Sequence, residues 1–112
     1  MTREGVQAWL DAYVAAWRTY DGIADLFSPD AEYRYHPYDE PLRGADAIAA
    51  DWEREDPESW EARYEVQLVD GDRAVATGET RYAEGRTFSN LFVLAFDGQG
   101  RCRSFTEWYM EH

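Results

Sequence analysis

The sequence predicts an α+β fold. Three N-terminal helices would pack on a strongly curved, mainly antiparallel sheet, a cone-like roll that encloses a pocket. Three observations carry this. Apolar residues in the first half recur at helical spacing. From residue 60 onward, β-rich runs are separated by turn signals. Aromatic residues make up 16% of the chain, enough to wall a cavity between two layers. A length of 112 residues suits one domain, spanning 1–112, because two would each be too small to bury a core.

Residues 3–20 read as the first helix, with Val6, Trp9, Leu10, Tyr13, Ala16, Trp17 and Tyr20 on one face. Residues 21–27 read as a short second helix, ended by Ser28-Pro29-Asp30, since proline disfavours helix in the residue before it. A short strand follows at 31–36, then a loop whose prolines, Pro37 and Pro41, deny it a regular ladder. Gly44 opens a third helix at 45–55, with Ala45, Ile48, Ala49 and Trp52 as its apolar stripe. Its acidic residues Asp51, Glu53, Glu55 and Asp56 read as a solvated face.

Residues 60–69 alternate, with Trp60, Ala62, Tyr64, Val66 and Leu68 on one face. Asp70-Gly71 is a two-residue hairpin signal. Strands at 73–83, 86–97 and 101–111 are separated by turns at Glu84-Gly85 and Gly98-Gln99-Gly100. The third of these four strands is apolar on both faces in its second half, which suits a central position.

Composition excludes several functions. A net charge of −12 argues against nucleic acid and anionic membrane as partners. All eleven basic residues are Arg, so no Lys can form a Schiff base or act as a general base. With one cysteine, Cys102, and two histidines, His36 and His112, a Cys/His zinc site has too few ligands, and no metal or other cofactor is expected. No internal disulfide can form, no run approaches the roughly 20 apolar residues that span a bilayer, and no secretion signal opens the chain, so a cytoplasmic location is expected.

Few residues are candidates for chemistry. His36 has an imidazole suited to acid/base work near neutral pH, or it caps backbone at a loop edge and faces water. Glu107 shares a face with Phe105 and Tyr109, where desolvation would raise its pKa. Alternatively it faces outward and pairs with an arginine such as Arg103. Tyr13 is a pocket-wall or a core residue of the first helix, and Trp17 and Trp52 line core or pocket. Asn90 is polar in an apolar strand, and burial would oblige it to hydrogen-bond Glu107, a water or a ligand. Trp60, Tyr64, Trp108 and Met110 would form an exposed sheet patch in a monomer, so a homodimer through the outer sheet face is expected.

The order of these elements resembles the nuclear transport factor 2-like superfamily, in its SnoaL-like and ketosteroid-isomerase-like branch. The residues that carry the likeness are Ala16-Trp17-Arg18-Thr19-Tyr20-Asp21, Leu26-Phe27-Ser28-Pro29-Asp30-Ala31, Leu42-Arg43-Gly44-Ala45-Asp46-Ala47-Ile48, and the last hairpin from Asn90 through Glu107-Trp108-Tyr109. The resemblance spans essentially the whole chain. It implies a cone-shaped pocket and a dimer on the outer sheet face, but no single activity. Tyr13 falls where ketosteroid isomerases carry an oxyanion-binding tyrosine. Tyr35, beside His36, stands where they carry the base aspartate, and Phe92 where they carry a second acid. The steroid-isomerase set is therefore incomplete. Compared with limonene epoxide hydrolases, Glu107 matches the acid of the last strand, while Asn90 and Phe92 replace an Arg and an Asp. In SnoaL-like cyclases an acidic residue acts as acid/base, and Glu107 matches it by position.

Together these readings point to a small, apolar or amphipathic ligand in the pocket. His36 and Glu107 would be catalytic, and Tyr13, Trp17, Tyr35, Trp52, Asn90, Phe92 and Tyr109 would touch the ligand. Such a protein would be a cofactor-independent isomerase, cyclase, dehydratase or hydrolase. The alternative is a non-catalytic ligand-binding or dimeric interaction domain of the same fold.

Overall fold

The computed structural model of the chain describes residues 1–52 and 59–112. Two α-helices, α1 (Arg3–Thr19) and α2 (Ala45–Trp52), accompany six strands: β1 (Phe27–Arg34), β2 (Leu42–Arg43), β3 (Trp60–Asp70), β4 (Arg73–Tyr82), β5 (Thr87–Phe96) and β6 (Cys102–Glu111). The strands form one mixed sheet in the order β2-β1-β6-β5-β4-β3. The α+β class and the four-stranded meander are as the sequence predicts.

α1 starts where Thr2 accepts a hydrogen bond from the Gly5 amide at 3.0 Å, capping the first turn. It ends at Tyr20, whose left-handed backbone (φ 58°) closes the last turn onto the Ala16 carbonyl. Val6, Trp9, Leu10, Tyr13 and Ala16 are its buried stripe.

The expectation of three helices is corrected to two. Residues 21–27 do not form a helix. Tyr20 and Gly22 (φ 77°) both take left-handed backbone, which leaves room for a single 3₁₀ turn at Ala24–Leu26. β1 begins at Phe27, earlier than the periodicity suggests, and runs through Ser28-Pro29-Asp30. Its register against β6 shifts between Phe27 and Glu32, and that irregularity accommodates a proline, which has no N–H to donate. The expected third helix is described as α2, and its predicted end at 53–55, with Glu53, Glu55 and Asp56, lies outside the described residues.

β1 pairs with β6 in parallel, and β2 adds a two-residue antiparallel edge at Glu32 and Tyr33. The β1–β6 pairing is not local in sequence. In β3 the predicted alternation holds to Val66. A bulge then places both Gln67 and Leu68 opposite the single step from Ala76 to Val75. Leu68 is turned outward at 59% exposure, and Val69 packs against the core in its place.

One face of the sheet is covered by the helices, and the core lies between them. Trp60 and Tyr64 belong to this covered face and are buried, contrary to the expectation of an exposed patch. Trp60 packs on Trp17, with ring centres 4.2 Å apart, and under the Arg18 guanidinium. Tyr33 stacks flat on Phe105 at 4.4 Å, and Tyr13 stacks on Phe105 from the other element at 5.3 Å.

Gly78 pairs with Tyr64 across β3 and β4. A Cβ there would sit 2.1 Å from the Arg63 carbonyl oxygen and 2.4 Å from the Tyr64 ring. Both atoms belong to a paired strand and cannot step aside. Gly78→Ala is expected to destabilise the fold by about 2 kcal/mol, read as a lower urea midpoint with an unchanged slope.

Candidate functional site

A cavity of about 250 Å³ opens between the helices and the sheet. α1 contributes Tyr13 and Trp17, and α2 contributes Trp52. Tyr33 and Tyr35 come from β1 and the residue after it, and Tyr64 from β3. Thr80 and Tyr82 from β4, Arg86 from the following turn, Phe88 and Asn90 from β5, and Glu107 and Tyr109 from β6 complete the lining. The period-two rule explains the last group. Phe88, Asn90, Phe92 and Leu94 share one face of β5, and Phe105, Glu107 and Tyr109 share the matching face of β6. Registers of Phe92 with Glu107 and Asn90 with Tyr109 bring the two faces together.

Glu107 is the only carboxylate in this lining among the described residues. Burial among aromatic rings pushes its pKa up to about 7, opposed in part by a hydrogen bond from Asn90 and by the charge of His36. The Asn90 Nδ2 donates to Oε2 at 2.6 Å. No described residue bonds Oε1. Because no fully buried side-chain polar atom lacks a partner among the described residues, Oε1 is accessible, and the accessible space around Glu107 is the cavity.

Behind Asn90 lies a buried chain. The Thr80 hydroxyl donates to Asn90 Oδ1 at 2.9 Å, and the Tyr64 hydroxyl meets Thr80 Oγ1 at 2.8 Å. On the opposite wall the Tyr13 and Tyr33 hydroxyls share one hydrogen bond of 2.8 Å. Two hydroxyls with one bond between them leave one proton over, available to an oxygen in the cavity. Burial, reinforced by Glu107 and, for Tyr13, by Tyr33, holds both phenols well above the ordinary tyrosine range, so they remain donors at neutral pH.

His36 does not line the cavity. Its Nδ1 lies 2.8 Å from Asp39 Oδ2 and its Nε2 lies 2.9 Å from the Tyr109 hydroxyl. A carboxylate only accepts, so Nδ1 carries the hydrogen and, in the neutral ring, Nε2 accepts from Tyr109. His36 thus reaches the cavity through Tyr109, which lines it. Phe92 is also outside the lining. It is buried beneath the cavity, in ring contact with Tyr64 at 4.7 Å and Phe105 at 4.8 Å. Tyr35 donates to Asp51 Oδ2 at 2.8 Å.

Tyr33, Tyr64, Thr80, Tyr82, Arg86 and Phe88 line the cavity but were not legible as candidates from the sequence. Alternation within 31–35 links Tyr33 to Tyr35 and was the available signal. Thr80 had none, since its place depends on the pairing of β4 with β5. The Arg86 guanidinium sits over the Tyr82 ring at 4.8 Å and pairs with Glu84. Burial pushes the Cys102 thiol up to about 12, which keeps it protonated and unreactive at neutral pH. Among the described residues no cluster of three or more His, Cys, Asp or Glu is placed to hold a metal ion, and no helix is long and apolar enough to cross a membrane.

The sequence profile of the SnoaL-like domain matches residues 6–104. The chain belongs to the SnoaL-like domain family. Solved structures with the same fold agree with this. One is a protein from Sphaerobacter thermophilus, 24% identical, with 91% of this chain and 93% of that chain covered and a TM-score of 0.73. A second is a protein of Kribbella flavida DSM 17836 assigned provisionally as a ketosteroid isomerase, at 17% identity, 98% and 81% coverage and a TM-score of 0.78. A third is an NTF-2-like protein of unknown function from Burkholderia xenovorans LB400, at 20% identity, 95% and 83% coverage and a TM-score of 0.74. A comparison with curated proteins finds no match. At these identities the structural likeness concerns the fold alone.

Proposed function

We propose that this SnoaL-like protein moves a proton on a small, largely apolar molecule bound in the cavity, with Glu107 taking and returning it. One observation carries the reading: an accessible carboxyl in an aromatic cavity, its pKa raised by burial to about 7. A group poised there is half base and half acid at neutral pH, which is where general acid/base catalysis works best. The spare proton of the Tyr13–Tyr33 pair would hold a substrate oxygen as charge develops on it. His36, with Asp39 behind it, would exchange protons between Tyr109 at the cavity wall and solvent. Trp17, Tyr35 and Trp52 would form apolar walls.

The volume of about 250 Å³ lies below the about 300–1,000 Å³ of pockets for drug-sized ligands, so the occupant is compact. This supports a one-ring or two-ring molecule with an oxygen function over a four-ring steroid. Proton exchange α to the carbonyl of monocyclic ketones and enones, followed by NMR in D2O, tests the reading. Protein-dependent, saturable exchange is the expected result. Saturable binding without exchange across the panel would overturn it in favour of ligand carrying.

The reading includes a homodimer through the outer sheet face. On the face opposite Asn90 and Glu107, register pairs Leu91 with Trp108 and Ser89 with Met110. Trp108 and Met110 are 43% and 73% exposed. Light scattering is expected to give a dimer mass for the wild type and a monomer mass for Trp108→Asp; equal masses for the two would remove the dimer from the reading.

A further inference from the structure

We propose that Thr80 is a positioning residue for the cavity carboxylate: held by Tyr64, its hydroxyl orients the Asn90 amide so that the N–H side faces Glu107. The proposal rests on the reading of Glu107 as the proton-transferring group, and it assigns what sets that group's charge.

The polarity follows from which atoms can donate. An ionised carboxylate only accepts, so the Asn90 atom 2.6 Å from Oε2 must be Nδ2. Oδ1 then lies on the other side, 2.9 Å from Thr80 Oγ1, and it must receive the threonine's only hydroxyl hydrogen. With that hydrogen committed, the 2.8 Å contact to Tyr64 is made by the tyrosine's hydrogen. β3, β4 and β5 thus each supply one donor, and all three point toward the carboxylate on β6. Tyr64, Thr80 and Asn90 are 4%, 2% and 9% exposed, so these bonds lie in a largely buried wall of the cavity.

An asparagine amide is nearly symmetric in shape and can turn over. Turned over, it would present Oδ1 to Glu107 and favour the protonated acid. The whole chain would then reverse, and Thr80 would donate to Tyr64. Thr80 is the one hydrogen-bond partner of the Tyr64 hydroxyl among the described residues, so the tyrosine's hydrogen would lose it and be left to the cavity. Thr80 transmits this bias from Tyr64 to Asn90 and makes no hydrogen bond to Glu107. Among the described residues, the other titratable or charged groups around the carboxyl are Tyr13 from α1, Tyr33 from β1, Tyr35 and His36 after β1, Tyr82 from β4, Arg86 from the turn after it and Tyr109 on its own strand. Thr80 substitutions leave all of these in place.

The test is a carboxyl titration of Glu107 by NMR on protein labelled with ¹³C in its glutamate side chains. Thr80→Val keeps shape and β preference but removes the hydroxyl. It is expected to raise the Glu107 midpoint by about one unit, the order of one hydrogen bond to a charged group. Thr80→Ser restores the hydroxyl and is expected to titrate like the wild type. Asn90→Leu is expected to raise the midpoint on its own, and Thr80→Val should add nothing in that background. An unmoved midpoint in Thr80→Val overturns the proposal, as does a shift that persists beside Asn90→Leu or that Ser fails to reverse. Should Thr80→Val not fold, the pH dependence of the Asn90 side-chain amide signals in the wild type decides. A change tracking the Glu107 midpoint supports the proposal, and none overturns it. A wild-type midpoint at the ordinary glutamate value sinks the acid/base reading instead, and the Thr80 shifts are then measured from that value.

Discussion

Glu107→Gln is expected to lower the rate of proton exchange on a bound ketone by about 10²–10⁴-fold, the usual contribution of a positioned acid/base group. The substitution is nearly isosteric. Its amide oxygen can still accept from Asn90 Nδ2, so the buried chain behind the site stays satisfied. Ligand affinity should change little while kcat collapses, because the lost interaction belongs to the transition state. The wild-type pH profile follows from the same residue. If the carboxylate is the base, kcat/KM rises with pH below about 7 and levels off above it, where Glu107 is ionised. A flat profile between about pH 5 and 9, or a Gln variant as fast as the wild type, would show that the proton goes elsewhere.

Much of the fold was readable because it is local. α1 follows from one apolar stripe, and the meander follows from alternation and glycine turns. What the sequence hid is set by backbone geometry or by distant pairing. Residues 21–27 have helical composition, yet the left-handed Tyr20 and Gly22 break the run. The parallel partnership of β1 with β6 joins the first strand to the last and leaves no periodic trace. The bulge at Gln67 swaps Leu68 and Val69 between faces, because one extra residue inverts a period of two.

The site divides along the same line. Glu107 and Tyr109 share a face because they are two residues apart, and Asn90 shares the matching face of the neighbouring strand. His36 could not be placed by sequence, since its direction is fixed by Asp39 on one side and Tyr109, seventy-three residues away, on the other. By sequence Tyr64 belongs to an exposed sheet patch, and Thr80 is an ordinary strand residue. Only the register of three strands shows that they end at Asn90 and the carboxylate.

The group that suits the chemistry is expected to weaken the fold. Glu107 has a pKa of about 7 in the folded chain against 4.5 for an unperturbed glutamate. Between those two values the folded state holds one more proton than the unfolded state, so stability falls as pH rises. Whatever stability the neutral acid contributes is fully present below about 4.5 and is lost as pH rises through about 7. About two and a half units correspond to roughly 3 kcal/mol, or about three hundredfold in the unfolding equilibrium. Glu107→Gln has no charge to bury. It is expected to be more stable than the wild type above pH 7 by up to about 3 kcal/mol, and to lose that advantage as the pH falls toward about 4.5. Urea denaturation of both proteins across this range measures the difference. A constant offset at every pH would mean that Glu107 is as well solvated in the fold as in the unfolded chain. A converging pair of curves would mean that the cavity keeps a destabilising carboxylate, the pattern expected of a group retained for function.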